Sequence, residues 1–172
     1  LSESGAGFTL PEIILAIAIL LTVSAIAIPS ITSLQKTSQL NNITEEVINI
    51  LRLAQNQTLV SKDNSQYGVY FNASSSPNQY VLFKGNDYST RDTSFDQTYS
   101  VPSTINFSAI NTGGDNQVIF NRLTGDTLNS GSISVQLNDQ NQTKTIYIDS
   151  AGVIGYTTLS TPADSARIKD SR

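Results

Sequence analysis

Residues 10–54 read LPEIILAIAILLTVSAIAIPSITSLQKTSQLNNITEEVINILRLA, and this stretch decides the fold. Its first half is almost purely apolar: residues 13–28 are interrupted only by Thr22 and Ser24, and residues 13–35 carry no charge, a window of 23. Extended back to Phe8, the run to Ile28 is 21 residues, close to the roughly 20 that cross a bilayer as a helix. Apolar side chains lie all round it, which a surface helix of a small soluble domain does not tolerate. A cleavable secretory signal also fits poorly, because no A-x-A-like site follows.

Helical periodicity continues beyond that run in a different form. Leu40, Ile43, Val47, Ile50 and Ala54 are spaced three and four apart, one stripe on a helix of period 3.6. Asn41, Asn42, Glu45, Glu46, Asn49 and Arg52 form the wet face between them. Pro29 removes one backbone donor and is expected to kink the helix without ending it, since Ile31 and Leu34 resume the pattern. The helix is expected to run from about Leu10 to Ser61, a rod of about 75 Å at 1.5 Å per residue. Lys62-Asp63-Asn64-Ser65 reads as the turn that closes it.

The remainder reads as strands. Residues 66–71 (QYGVYF) and 79–84 (QYVLFK) flank a turn-rich connection and predict a hairpin. Residues 103–110, 117–121, 132–137, 145–149 and 153–157 are short, rich in β-branched and aromatic side chains, and bounded by Gly, Asn, Asp or Ser. Ile133, Val135 and Leu137 alternate with Ser132, Ser134 and Gln136, as expected of a sheet with one buried face. Residues 85–102 (GNDYSTRDTSFDQTYSVP) read as a long polar loop. The expected class is α+β: a long N-terminal helix whose amphipathic half packs on a small antiparallel sheet domain.

Composition narrows the chemistry. The 172 residues include no His, Cys, Met or Trp, and 14% are charged, against about 25% in ordinary soluble domains. Ser, Thr, Asn and Gln make up 67 residues, so uncharged groups supply the polarity. No Ser-His-Asp or Cys-His nucleophile system, disulfide, or His- or thiolate-ligated zinc site can be built. A net charge of −4 speaks against a globally basic nucleic-acid binder. No cofactor is expected.

The residues before the apolar run carry a family resemblance. Gly7-Phe8-Thr9-Leu10-Pro11-Glu12, followed by the uncharged helix and by Pro29 at the twenty-second position from Phe8, resembles the processing signature of type IV pilins and type II secretion pseudopilins. Arg52-Leu53-Ala54-Gln55 and the segments 118–125 (VIFNRLTG) and 146–153 (IYIDSAGV) look, more loosely, like the minor pseudopilin subgroup called GspH or FimT. The resemblance implies a pilin fold, cleavage by a prepilin peptidase between Gly7 and Phe8, methylation of the new Phe8 amine, and an assembly role for Glu12. Thr9-x-x-Glu12 also fits a helix-capping box. A carboxylate at the edge of a membrane span is costly unless paired, so a neighbouring subunit's amine is the partner that the resemblance implies.

The implied organisation is a leader at residues 1–7, a transmembrane and filament-core helix at 8–28, its amphipathic continuation at 29–62, an extracytoplasmic β-rich domain at 66–162 and a mobile tail at 163–172. Residues 1–7 hold no cation, and no Met precedes them, so the chain is read as beginning inside the leader. The implied partners are the prepilin peptidase, sister pilin or pseudopilin subunits, the inner membrane and, indirectly, an assembly platform with its ATPase. The implied function is a non-enzymatic minor subunit of a secretion pseudopilus or type IV pilus-like filament. A minor pilin for DNA uptake or adhesion is the alternative. Arg167, Lys169 and Arg172 could make weak phosphate contacts, but Asp164 and Asp170 sit among them and the tail has no aromatic. A membrane-anchored enzyme using Glu45/Glu46 or Asp92/Asp96 is a distant reading. Asp126, Asp139 and Asp149 lie in or beside turns without calcium-loop spacing, so no metal site is assigned.

Overall fold

A computed structural model describes residues 7–139 and 142–160, with side chains described except at residues 25–31 and 158–160. It divides into two compact units, the first ending at Lys36 and the second beginning at Thr37. One helix, α1 (Leu10–Leu59), supplies the whole regular structure of the first unit and enters the second. The helical backbone is continuous through position 29. The kink assigned to Pro29 falls where side chains lie outside the description.

In the second unit the expected stripe is buried in full: Leu40, Ile43, Val47, Ile50 and Ala54 belong to the core, joined by Ile48 and Leu51. The asparagines, glutamates and arginine between them face outward as expected. Two threonines also turn inward. Thr44 donates its hydroxyl to the Leu40 carbonyl at 2.7 Å and Thr58 to that of Ala54 at 2.8 Å. Thr58 Oγ1 further accepts the Tyr67 N–H at 2.9 Å, so neither hydroxyl is buried unmet. The helix closes at a turn, Lys62–Asn64, in which Ser61, Asp63 and Asn64 all adopt positive φ. Asn and Asp tolerate that conformation better than other side chains with a Cβ.

The strands form two four-stranded antiparallel sheets, where the sequence suggested one. The first is ordered β3-β2-β1-β5, from β1 (Tyr67–Asn72), β2 (Gln79–Lys84), β3 (Asp92–Ser100) and β5 (Gln117–Ile119). The second is ordered β4-β6-β7-β8, from β4 (Ile105–Asn111), β6 (Gly131–Leu137), β7 (Gln142–Ile148) and β8 (Ile154–Ser160). Both sheets feed one core: Val69, Phe71, Tyr80 and Leu82 from the first, Phe107, Ile133, Val135, Ile146 and Ile148 from the second. The Phe71 and Phe107 rings meet edge-on at 5.5 Å between centroids, the geometry favoured by the ring quadrupole. Asn78 Oδ1 accepts the Phe107 N–H at 2.8 Å and ties the hairpin end of one sheet to the other.

The polar stretch 85–102 is not a loop. Residues 92–100 form β3, paired with β2 from Gln79↔Ser100 to Lys84↔Asp92. Its side chains are mostly exposed, so no apolar alternation marked it. What holds it is a half-hidden set of contacts made only in three dimensions. Tyr99 stacks on Tyr80 at 5.1 Å, Lys84 sits 3.9 Å from the Phe95 ring centre, and Arg91 bridges Asp96 at 2.8 Å.

One side chain fastens the helix to two turns, one between β5 and β6 and one between β7 and β8. Gln55 Nε2 donates to the Gly125 carbonyl at 2.7 Å and to that of Gly152 at 2.9 Å. Gly152 adopts φ +79°, and a Cβ there would lie 2.1 Å from the Gly125 oxygen. Gly155, three residues on, has open space around it. Gly152→Ala should therefore destabilise the domain by about 1–3 kcal/mol or more, and Gln55→Leu by about 1–3 kcal/mol through two stranded carbonyls. Gly155→Ala should be near neutral. Denaturant unfolding of the three variants checks the ranking, and equal midpoints for Gly152→Ala and Gly155→Ala would refute it.

Candidate functional site

Two surfaces carry groups that a function could use: the start of α1 and the outer face of the first sheet. At the start, Gly7 and Phe8 precede the helix, and Phe8 is 79% exposed. Thr9 is the cap. Its N–H and hydroxyl approach Glu12 Oε2 at 3.4 and 3.5 Å, and its carbonyl accepts the Glu12 N–H at 3.1 Å. The carboxylate thus reaches back one turn, as the spacing suggested, and offsets orphan N–H groups at the positive end of the helix dipole.

Beyond Glu12 the helix presents Ile13, Ile14, Leu15, Ile17, Ile19, Leu20, Leu21 and Val23, each about half exposed or more. Thr22 and Ser24 hide their polarity by donating to the carbonyls of Ile19 and Leu20 at 2.8 and 2.7 Å. Such a surface is far larger than the scattered apolar residues of a monomer's exterior. Among the described residues no helix is long and apolar enough to cross a membrane, and the run with described side chains stops at Ser24.

The outer face of the first sheet is covered by residues 85–91. Tyr88 stacks on Tyr70 with ring centres 3.8 Å apart, meets Phe83 edge-on at 5.4 Å, and carries the Arg91 guanidinium on its other side at 3.7 Å. Phe83 fits because position 68 is Gly; a Cβ there would lie 2.8 Å from the end of its ring. Gln117 holds this strap from below, accepting the Tyr88 N–H at 2.9 Å and donating to Asp87 Oδ2 at 3.1 Å. Asp87 also accepts the Ser89 N–H at 2.8 Å. These bonds, the Ser89 hydroxyl's foremost, hold the Asp87 carboxyl below the usual carboxylate range. A shallow hollow of about 270 Å³ lies alongside, lined by Tyr70, Asp87, Tyr88, Ser89, Asp115 and Gln117.

Other titratable groups are committed to structure. Tyr80 donates its hydroxyl to Glu46 Oε1 at 2.7 Å, and burial together with that carboxylate pushes its pKa well up. Tyr67 donates to Asp63 at 2.8 Å and is pushed up to about 12, burial being the larger cause. Of the carboxylate pairs considered as acid and base, Asp96 is taken by Arg91, and Asp92 accepts from Ser94. Glu45 and Glu46 are both exposed on the helix, and Glu46 is engaged by Tyr80. Among the described residues no group of carboxylates is placed to hold a metal ion. Arg167, Lys169 and Arg172 lie outside the described residues.

The strap, the Gln55 clasp and the glutamate under Tyr80 had no signature in the sequence. Each joins residues far apart in the chain, 34 positions for Tyr80 and Glu46 and 97 for Gln55 and Gly152.

No protein-family model matches the chain, and no curated protein is similar to it in sequence. Its fold is similar to that of the minor pseudopilin EpsH from the Type 2 Secretion System of Vibrio cholerae. The match has a TM-score of 0.52 and 7% sequence identity, and covers 70% of this chain and 97% of that one. The likeness is one of fold, and it agrees with the α+β architecture read from the sequence.

The strap makes a pH prediction. A carboxyl held below its ordinary pKa contributes order that is complete above the ordinary value and is lost as pH falls through the lowered one. The Ser89 amide resonance should therefore titrate with a midpoint below that of an unstructured Asp. Asp87→Asn should abolish that titration, and a midpoint at or above the ordinary carboxylate value would refute the arrangement.

Proposed function

We propose that this chain is a non-enzymatic minor pilin- or pseudopilin-type subunit, processed at its amino end and assembled into a short filament that serves protein secretion. The observation that carries the reading is the division of labour along α1. Residues 40–58 bury a stripe in their own domain, while residues 8–24 expose a broad apolar surface that has use only in lipid or among other helices. The fold likeness to a secretion pseudopilin supports the same reading.

In this reading residues 1–7 belong to a leader that a prepilin peptidase removes between Gly7 and Phe8, and Phe8 is then N-methylated. Gly7 suits the cut, since a backbone without a Cβ can lie extended in a protease cleft. Residues 8–28 span the bacterial inner membrane before assembly and form the filament core after it. Residues 29–62 continue the helix with a kink at Pro29, residues 66–162 face the extracytoplasmic side, and residues 163–172 are a tail. Glu12 has a second task besides capping. Its carboxylate sits where lipid would surround it, and the freed Phe8 amine of a neighbour offsets part of that desolvation cost. The pairing specifies register between subunits.

Mass spectrometry of the mature amino terminus tests this directly: a chain beginning at N-methylated Phe8 is expected, and an uncut chain would overturn it. Glu12→Leu should leave processing intact and cut incorporation into filaments at least severalfold in a shear-fraction assay. Unchanged incorporation would remove Glu12 from assembly while leaving the cleavage claim standing.

A further inference from the structure

The two sheets have four edges, and three are blunted. β3 carries Asp92 and Asp96 and is thrown out of register by an irregularity opposite Leu82 and Lys84. β4 is bulged between Phe107 and Ala109. β5 is three residues long. Charges, bulges and short length are the devices by which natural sheets prevent unwanted strand addition.

β8 has none of them. It is seven residues, IGYTTLS, without charge or proline, and pairs with β7 without a register shift from Ile148↔Ile154 to Gln142↔Ser160. Among the described residues it pairs with β7 alone. Among the described residues the outer N–H and C=O groups of this long, regular, uncharged edge have no strand partner, and such a row is the template on which extended segments dock.

A cation beside this edge says what should dock. Lys144 on β7 is 9% exposed and shares the core-facing side of the sheet with Ile146 and Ile148. Its ammonium lies 4.8 Å from the ring centre of Tyr156 on β8, and no hydrogen bond or ion pair to it exists among the described residues. Tyr156 is 44% exposed and lies on β8, the strand between β7 and this edge. A strand added to β8 would place alternate side chains next to Tyr156 on that face, about 5 Å from β8. A Glu there reaches across the ring toward the ammonium and pairs with it.

We propose that β8 is a docking edge for an extended segment of a partner protein that carries a carboxylate on its Lys144-facing side. The proposal stands on the second unit alone and does not depend on cleavage or filament assembly.

Fluorescence anisotropy with synthetic heptapeptides tests it on the purified chain. The probe has Val or Thr at odd positions and Glu at even ones; its counterpart has Lys in place of Glu. The Glu peptide should bind at least about fivefold more tightly at low salt, as a close ion pair permits, and lose that advantage in high salt. Lys144→Met should erase the preference, and Lys144→Arg should keep it. Thr157→Pro and Thr158→Pro remove N–H groups that point to opposite sides of the strand. The one that keeps the wild-type melting temperature should abolish binding. If both unfold, the peptide preference and the Lys144 variants still decide. Equal binding of both peptides, or binding retained in the stable proline variant, would overturn the proposal. Concentration-dependent self-association that the stable proline variant removes would assign the edge to a second copy of the chain instead.

Discussion

Everything in the second unit depends on one stripe of α1 being shared by two sheets. Val47, Leu51 and Ala54 are fully buried, and the residues that bury them come from both sheets at once. A two-sheet protein ordinarily packs sheet on sheet; here the helix enters the common core. Each buried aliphatic side chain contributes about 1.5–3 kcal/mol relative to exposure, and the stripe shares one core with residues of both sheets. Glu46, Gln55 and Thr58 then fasten the helix to Tyr80, to the Gly125 and Gly152 turns and to Tyr67.

The earlier helical residues belong to the first unit. Residues 13–23 keep large apolar side chains exposed, and the domain's own core is complete without them. The helix therefore carries two apolar stretches, one buried in the second unit's core and one with its large side chains exposed. The sheets contribute a surface of hydroxyls and amides, with a strap over one face and an edge, β8, that among the described residues pairs with β7 alone.

Much of this was legible before any coordinates. The stripe Leu40–Ala54, the hairpin of β1 and β2, and the inward set Ile133, Val135 and Leu137 all appear where period and propensity placed them. The clear miss is β3. Its side chains are mostly exposed on both faces, so the period-two signal had nothing apolar to display, and its pairing comes from β2, Tyr80 and Arg91 instead. The count of sheets was missed for a related reason. Alternation reports that a strand has one buried face, and says nothing of which strand lies beside it.

The sequence by itself determined the helix, its division into two apolar regimes and the cap at Thr9 and Glu12, because these depend on residues three or four apart. Tertiary structure alone decided that strands form two sheets, that residues 85–91 fold over Tyr70 and Phe83, that Gln55 answers two distant carbonyls, and that Lys144 is buried beside an open edge. Those outcomes join residues that no helical or strand period links. Their energies come from desolvation and geometry, which no local pattern of residue types records.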